Sequence, residues 1–244
     1  MQVDALALRL RSRTQMEAAD LGVYLCQRTA RSVYTCFGIV ALPVMALAIG
    51  SSEVAVWLPT LVIWWAKPWL DRTILLVLSR AAFGQQTGPA EIWRAQRDVW
   101  WRQLLFTLSI RRLSWWRAFT QPVYQLEGAS IRDASPRVRQ IRRGHAMTAL
   151  LTTTAFSVTE CALAVALFSL VFWLAPSGVV PDVGDMLSGS WPRVFAIALP
   201  VSYGIAVFFV EPFYVATGFA MYLNRRAELE AWDIEQEFRR AFVG

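Results

Sequence analysis

Five charged side chains interrupt long apolar stretches of this sequence and are the residues best suited to chemistry: Lys67, Asp71, Arg72, Glu160 and Glu211. A charge within a bilayer is costly, and it persists where it pairs, faces a polar interior or carries out a function. These side chains therefore predict an intramembrane polar site. Such a site can hold an ion pair, relay a proton or bind a polar substrate.

Two of the charges are followed directly by proline, as Lys67–Pro68 and Glu211–Pro212. A proline inside a helix removes one backbone hydrogen bond and tends to kink it, so both prolines predict helix kinks. An ungapped alignment on the two charges also pairs Trp64 with Phe208, Trp65 with Phe209, Trp69 with Phe213 and Thr73 with Thr217. The alignment indicates a parallel internal repeat, in which Lys67 and Glu211 meet. Chance similarity between apolar sequences is the alternative.

Two interpretations of the polar site stay open. Lys67 and Glu211 form a structural ion pair that holds the helices together, or the charges serve transport or catalysis. Glu160 with Glu211 resembles an acid–base pair, but no nucleophile elbow, phosphate loop or metal-ligand spacing accompanies them. We therefore expect no enzymatic activity, no catalytic residue, no cofactor and no metal.

The elements that position these charges are apolar. Of 244 residues, 56% are hydrophobic and 17% are charged, against about 25% charged in soluble domains. Crossing a bilayer takes about 20 mostly apolar residues, and four stretches qualify: 33–49, 54–83, 147–174 and 194–223. The composition predicts an all-α polytopic membrane protein with four transmembrane helices and amphipathic cytoplasmic helices.

The distribution of arginine predicts the orientation. Twelve arginines lie between Arg80 and Arg143, whereas the turns at 51–53 and 176–191 contain none. Basic residues concentrate on the cytoplasmic side, so both termini and the central segment are expected there, in a multi-pass protein of a bacterial inner membrane. The run of Arg137, Arg139, Arg142 and Arg143 fits a stop to translocation better than a nucleic-acid patch.

Five segments follow from this pattern. They are a cytoplasmic N-terminal helix (1–32), two spans (33–83), an arginine- and tryptophan-rich segment (84–145), two further spans (146–223) and an amphipathic cytoplasmic helix (224–244). Thr14 and Glu17 predict a capping box that opens a helix over 15–28. In the last segment an apolar face needs a partner surface, and it comprises Ala227, Ala231, Ile234, Phe238 and Ala241.

Within the central segment, residues 91–109 interleave aromatic and basic side chains, namely Trp93, Arg94, Arg97, Trp100, Trp101 and Arg102. This amphipathic stretch is too polar to cross a membrane. It either lies in the headgroup plane with its arginines toward anionic lipid, or packs on the cytoplasmic face of the protein itself.

The sequence also resembles the membrane region of a bacterial family labelled domain of unknown function 4129. The resemblance is carried by Trp65, Lys67, Pro68, Arg72, Leu78, Ser79, Arg80, Phe83 and Gly84, by Arg112, Leu113 and Ser114, and by Gln125, Leu126, Glu127 and Gly128. Its densest part comprises Glu211, Pro212, Phe213, Tyr214, Val215, Ala216, Gly218, Phe219, Tyr222, Leu223, Asn224, Arg225, Arg226, Glu228, Leu229, Glu230, Trp232, Asp233, Ile234 and Glu235.

Members of that family are inner-membrane proteins often encoded beside a MoxR-type AAA ATPase, so the resemblance implies a complex with other membrane proteins. This chain ends at Gly244, whereas longer relatives continue, and a split or shortened version is expected. The predicted function is a non-enzymatic scaffold or assembly component in the lipid bilayer, with no nucleic acid. The alternative is a small transporter or lipid-handling protein that uses the Lys/Glu site.

Overall fold

The computed structural model describes residues 13–101, 104–128, 130–176, 180–188 and 191–230, and within these ranges the chain is helical, without strands. The helices are α1 (Gln15–Arg28), α2 (Ala30–Gly50), α3 (Leu58–Ala82), α4 (Pro89–Arg94), α5 (Leu104–Leu108), α6 (Arg117–Gln125), α7 (Ile131–Arg142), α8 (Ala146–Leu174), α9 (Val183–Ser188) and α10 (Arg193–Glu230). The all-α prediction is confirmed for this part of the chain.

The capping box predicted for α1 is confirmed. The Glu17 N–H donates to the Thr14 hydroxyl at 3.3 Å, and the Thr14 N–H donates to the Glu17 carboxylate at 3.4 Å. The helix packs lengthwise on α10, where a Cβ on Gly22 would lie 2.4 Å from the Ala216 carbonyl oxygen. Glycine is therefore required at this position, because any side chain would separate the two backbones.

Three helical segments are long and apolar enough to cross a membrane: Ala30–Glu53, Ala146–Leu174 and Arg193–Glu230. The chain thus has the elements of a membrane protein. A fourth span over α3 is not confirmed by length and composition. Every stretch of α3 long enough to cross contains Lys67, Asp71 and Arg72, and these charges lower its hydropathy.

The longest helix, α10, lies at the centre of the bundle and contacts α1, α2, α3, α6 and α8. It has 38 residues and continues past the predicted end of the fourth span at 223. The two segments predicted on either side of residue 223 are therefore joined in one continuous helix, because residues 224–230 extend α10. The rest of that predicted helix, 231–244, lies outside the described residues.

By contrast, α8 lies at the edge of the bundle and packs mainly on α10. In its 29 residues only Ala149 and Glu160 are buried, although the helix is strongly apolar. An apolar helix with so few buried residues is suited to lipid rather than water. The burial of a single glutamate on such a helix therefore marks the place where α8 reaches into the protein.

The central segment is not one amphipathic helix but several short ones folded back on α3 and α10. Trp100 is buried, and its indole N–H donates to the Thr73 hydroxyl of α3 at 3.0 Å. At Trp100 the segment therefore packs on the protein itself, the second alternative given above. Arg102 lies outside the described residues. The other aromatic and basic side chains of the stretch are exposed: Trp93, Arg94, Arg97 and Trp101.

Candidate functional site

Lys67 lies between two carboxylates contributed by different helices. Its ammonium forms an ion pair with Glu160 of α8, and Nζ lies 2.7 Å from Oε2 of Glu211 of α10. The predicted meeting of Lys67 and Glu211 is confirmed. Glu160 was predicted as part of the polar site, and the structure places it as the second acidic partner of the same lysine.

A second cation continues the chain of contacts. Nη2 of Arg117 lies 2.6 Å from Oε1 of Glu211, and Nε of Arg117 lies 2.9 Å from Oδ2 of Asp71. Glu211 therefore bridges both cations. We call Glu160, Lys67, Glu211, Arg117 and Asp71 the charged cluster. Its members alternate in sign along the sequence of contacts.

The charged cluster is almost completely withdrawn from solvent: Asp71 and Glu211 are 0% and 1% exposed, and the other three members are 6–7% exposed. Removing an ion from water costs several kcal/mol, which only well-placed opposite charges offset. The alternation of signs supplies that compensation, because each cation has two acidic neighbours. The cluster thereby joins α3, α6, α8 and α10.

The sequence did not predict the participation of Arg117, because its segment was expected at the cytoplasmic face. Close packing of α6 on α10 places Arg117 in the cluster. A Cβ on Gly218 of α10 would lie 2.4 Å from the Cβ of Ala118, so α6 touches the α10 backbone. The Ala118 N–H also donates to the Tyr214 hydroxyl at 3.3 Å. One signal was available, since the three acids of the predicted site outnumber its two cations, Lys67 and Arg72, and imply another buried cation.

The electrostatics of Arg117 reflect this placement. Burial alone would lower the pKa of its guanidinium. The neighbouring Asp71 and Glu211 carboxylates more than offset that effect and hold the pKa above its usual value. Arg117 is therefore a permanent positive charge in the cluster.

Arg72 was predicted in the same site but reaches another part of the protein. Its Nη1 donates to the Thr107 hydroxyl of α5 at 3.1 Å, although the residue is buried next to Asp71 in the chain. The predicted kink residues Pro68 and Pro212 both lie buried within continuous helices. They directly follow Lys67 and Glu211, two members of the charged cluster.

A cavity of about 900 Å³ adjoins the cluster and is lined by residues of α3, α8 and α10 and of the segment 112–117. Five charged side chains line it: Lys67, Arg112, Arg117, Glu160 and Glu211. Aromatic and apolar side chains line the rest, among them Trp57, Leu61, Trp64, Trp115, Phe156, Leu199, Tyr203 and Tyr214. The cavity therefore has a charged wall and an otherwise apolar lining.

Arg112 differs from the other cations of the cavity. Within the described part of the chain no carboxylate lies within ion-pair distance of it, and its guanidinium carbon lies 3.4 Å from the centre of the Trp64 ring. Its buried Nε lacks a hydrogen-bond partner. Burial lowers the pKa of Arg112 to about 10, which leaves it charged at neutral pH.

Two further features bear on the chemistry of the cavity. Among the described residues no group of three or more His, Cys, Asp and Glu side chains is arranged to hold a metal ion. One cysteine, Cys161, is exposed and lines the cavity, whereas Cys26 and Cys36 are buried. The arrangement is suited to binding a polar group at the charged wall while apolar parts of the same molecule contact the aromatic side chains.

None of the family models, curated proteins or solved structures with which the chain was compared matches it. The resemblance to the domain of unknown function 4129 therefore stays a prediction from the residues quoted for it.

Proposed function

We propose that the protein binds a membrane amphiphile in the 900 Å³ cavity, as a lipid-handling protein or small transporter. The observation that carries this proposal is the pairing of a charged wall with an apolar, aromatic lining in one cavity. Ligand cavities typically measure about 300–1,000 Å³ and combine apolar walls with a few polar groups. A water-soluble metabolite would leave the aromatic lining unused, whereas an amphiphile satisfies both parts.

The proposed membrane arrangement supports this role. We propose that α3 is a fourth span, since its 25 residues extend about 37 Å and its charges have partners on other helices. Both termini would then be cytoplasmic, in a bacterial inner membrane, as the arginine distribution predicts. The parallel repeat is supported by the contact of Lys67 with Glu211 and by the burial of the aligned Thr73 and Thr217.

Two neighbouring residues of α8 allow a matched test. Ser157 lines the cavity, whereas Val158 is 62% exposed and does not line it. Ser157→Trp would fill the cavity, and Val158→Trp adds the same side chain to the outer surface of the same helix. The wild type and both variants would be purified in mild detergent, and native mass spectrometry would count the lipids that stay bound.

We expect the wild type and Val158→Trp to retain one lipid and Ser157→Trp to lose it. Far-ultraviolet circular dichroism of all three proteins controls for folding. Equal retention by the two tryptophan variants, or no retained lipid in the wild type, would refute amphiphile binding in this cavity.

A second candidate, a scaffold in a multi-protein complex, is favoured by a separate apolar groove of about 420 Å³ between α2 and α10. Ala46 is exposed in this groove, and a small residue there allows a partner helix to approach closely. The partner would be a transmembrane helix of another membrane protein. A MoxR-type ATPase system is implied only by the family resemblance.

The scaffold proposal has its own matched test. Leu42 lines the groove, whereas Leu47 on the same helix is exposed and does not line it. If the groove holds a partner helix, Leu42→Trp should remove a protein that co-purifies from the native host, and Leu47→Trp should retain it. Co-purification unaffected by either change would count against the scaffold role.

A further inference from the structure

The charges around the cavity are not balanced, and the excess is positive. Lys67 and Arg117 share the three carboxylates of the charged cluster. Arg112 and the adjoining Arg111 add two cations, and neither forms an ion pair with a carboxylate within the described ranges. Among the side chains that line the cavity, three cations (Lys67, Arg112 and Arg117) outnumber two carboxylates (Glu160 and Glu211), which leaves one positive charge.

The two additional arginines are held by aromatic rings rather than by acids. The Arg111 guanidinium carbon lies 4.5 Å from the centre of the Tyr124 ring, and its buried Nη2 lacks a hydrogen-bond partner. Arg112 lies over Trp64 and faces the cavity. An aromatic ring supports a cation only weakly compared with a charged partner. Arg112 is therefore the cation in the cavity wall that is open to a new anionic partner.

The lining around Arg112 indicates the rest of the ligand. Trp57 and Trp115 are exposed at the cavity edge, and Leu61 and Leu199 lie nearby in the lining. Tryptophan is enriched where a protein meets the boundary between lipid headgroups and acyl chains. A molecule that places an anion at Arg112 would have its acyl chains against these apolar side chains.

We infer that the amphiphile has an anionic phosphate-ester headgroup, that Arg112 binds its phosphate oxygens, and that Arg112 thereby sets the preference for anionic over zwitterionic lipid. The planar guanidinium presents paired N–H donors that match two phosphate oxygens. A single negative charge neutralises the excess positive charge of the site. This inference rests on the proposed function, since it names the class of lipid that occupies the same cavity.

The test measures lipid preference in the full chain purified in a non-ionic detergent. Phosphatidylglycerol and phosphatidylcholine with identical acyl chains and a fluorescent acyl label are titrated separately, and tryptophan-to-label energy transfer reports binding. The proteins are the wild type, Arg112→Gln, Arg112→Lys and the control Arg139→Gln. Arg139 is exposed on α7 and does not line the cavity.

We expect the wild type and Arg139→Gln to bind phosphatidylglycerol about tenfold or more tightly than phosphatidylcholine, the effect of a hydrogen-bonded charge pair. Arg112→Gln should bind both lipids at the weaker level, and Arg112→Lys should recover part of the preference. Retained binding of phosphatidylcholine by Arg112→Gln shows that the variant is folded and that its cavity is intact.

The outcomes separate this inference from the proposal on which it rests. Equal binding of the two lipids by the wild type, or an unchanged preference in Arg112→Gln, overturns the anionic headgroup but leaves amphiphile binding standing. No binding of either lipid overturns both. A competition experiment with inorganic phosphate distinguishes a lipid headgroup from free phosphate. If phosphate alone displaces labelled phosphatidylglycerol at millimolar concentration, the site binds free phosphate and the inference of a lipid headgroup is overturned.

Discussion

Two charged networks hold this protein together, and they differ in what surrounds them. The charged cluster lies among α3, α6, α8 and α10. The second network, which we call the partly exposed network, comprises Glu127, Arg137, Tyr222, Arg226 and Glu230. In both networks an arginine bridges two carboxylates: Arg117 contacts Asp71 and Glu211, and Arg137 contacts Glu127 and Glu230.

Exposure separates the two networks. The side chains of Arg137 and Glu230 are 24% and 27% exposed, whereas that of Glu211 is 1% exposed. Water and salt weaken the interactions of the partly exposed network, and its pairs contribute little individually. Because the charged cluster is buried, water does not screen its charges, and the loss of one charge leaves its partners uncompensated. Similar ion pairs therefore have different consequences in the two networks. In the partly exposed network they contribute little individually, whereas the charged cluster next to the cavity depends on every member.

The largest effect is expected from Glu211→Gln, which removes the carboxylate shared by Lys67 and Arg117. Breaking a buried ion pair costs about 3–5 kcal/mol. The matched change in the partly exposed network, Glu230→Gln, should cost about 1 kcal/mol or less. Reversible unfolding in mixed micelles measures both free energies. Similar losses in the two variants would mean that burial does not distinguish the networks.

The next effect concerns the close packing that brings Arg117 into the cluster. Gly218→Ala places a methyl group 2.4 Å from the Ala118 Cβ, so α6 must move away from α10. Overpacking of this kind costs about 1–3 kcal/mol. Gly50→Ala is the control, since no atom lies within 4 Å of the new methyl group. A Gly218→Ala protein with wild-type stability and wild-type lipid retention would show that α6 does not depend on this contact.

A smaller effect should distinguish the networks by their response to salt. Arg137→Ala removes two ion pairs in the partly exposed network. The resulting decrease in melting temperature should become smaller as the salt concentration rises. The cost of Lys67→Met should be the same at low and high salt, because its partners are buried. Melting temperatures at two salt concentrations report both. A strong salt dependence for Lys67→Met would indicate that water reaches the charged cluster.

The smallest effect is expected from the response of His145 to pH. Burial and the neighbouring Arg225 lower the pKa of His145, although Glu228 opposes this shift. The folded state therefore favours neutral His145, and its contribution to stability is present above about pH 6.5 and is lost as the pH falls further. His145→Asn should reduce the drop in melting temperature on acidification. An equal drop in variant and wild type would exclude His145 as the cause.

Local signals in the sequence predicted much of the fold. The capping box of Thr14 and Glu17 defined α1, and the apolar runs defined α2, α8 and α10. The apolar run of α10 stops at Leu223, so the sequence predicted a segment boundary there, although one helix continues through it. Helical pairs at spacings of three and four, such as Arg225 with Glu228 and Arg226 with Glu230, continue the helix beyond it.

The site was predictable only where a charge stood out against apolar neighbours. Lys67, Glu160 and Glu211 were visible for that reason, and the proline alignment predicted that Lys67 meets Glu211. Arg112 and Arg117 lie among many arginines of a segment that reads as cytoplasmic, so sequence could not distinguish them. Their roles depend on tertiary contacts: Arg112 contacts the Trp64 ring, and Arg117 forms an ion pair with Asp71.

The most direct test of whether an anionic lipid occupies the cavity is photo-crosslinking. The wild-type protein is irradiated with an anionic lipid that carries a diazirine near its headgroup. We predict saturable adducts on the cavity-lining Trp64 and Ser157, which unlabelled lipid of the same headgroup suppresses and Ser157→Trp abolishes. Adducts spread evenly over the outer surface of α8, at Val165 and Leu170 as often as at Ser157, would contradict the account.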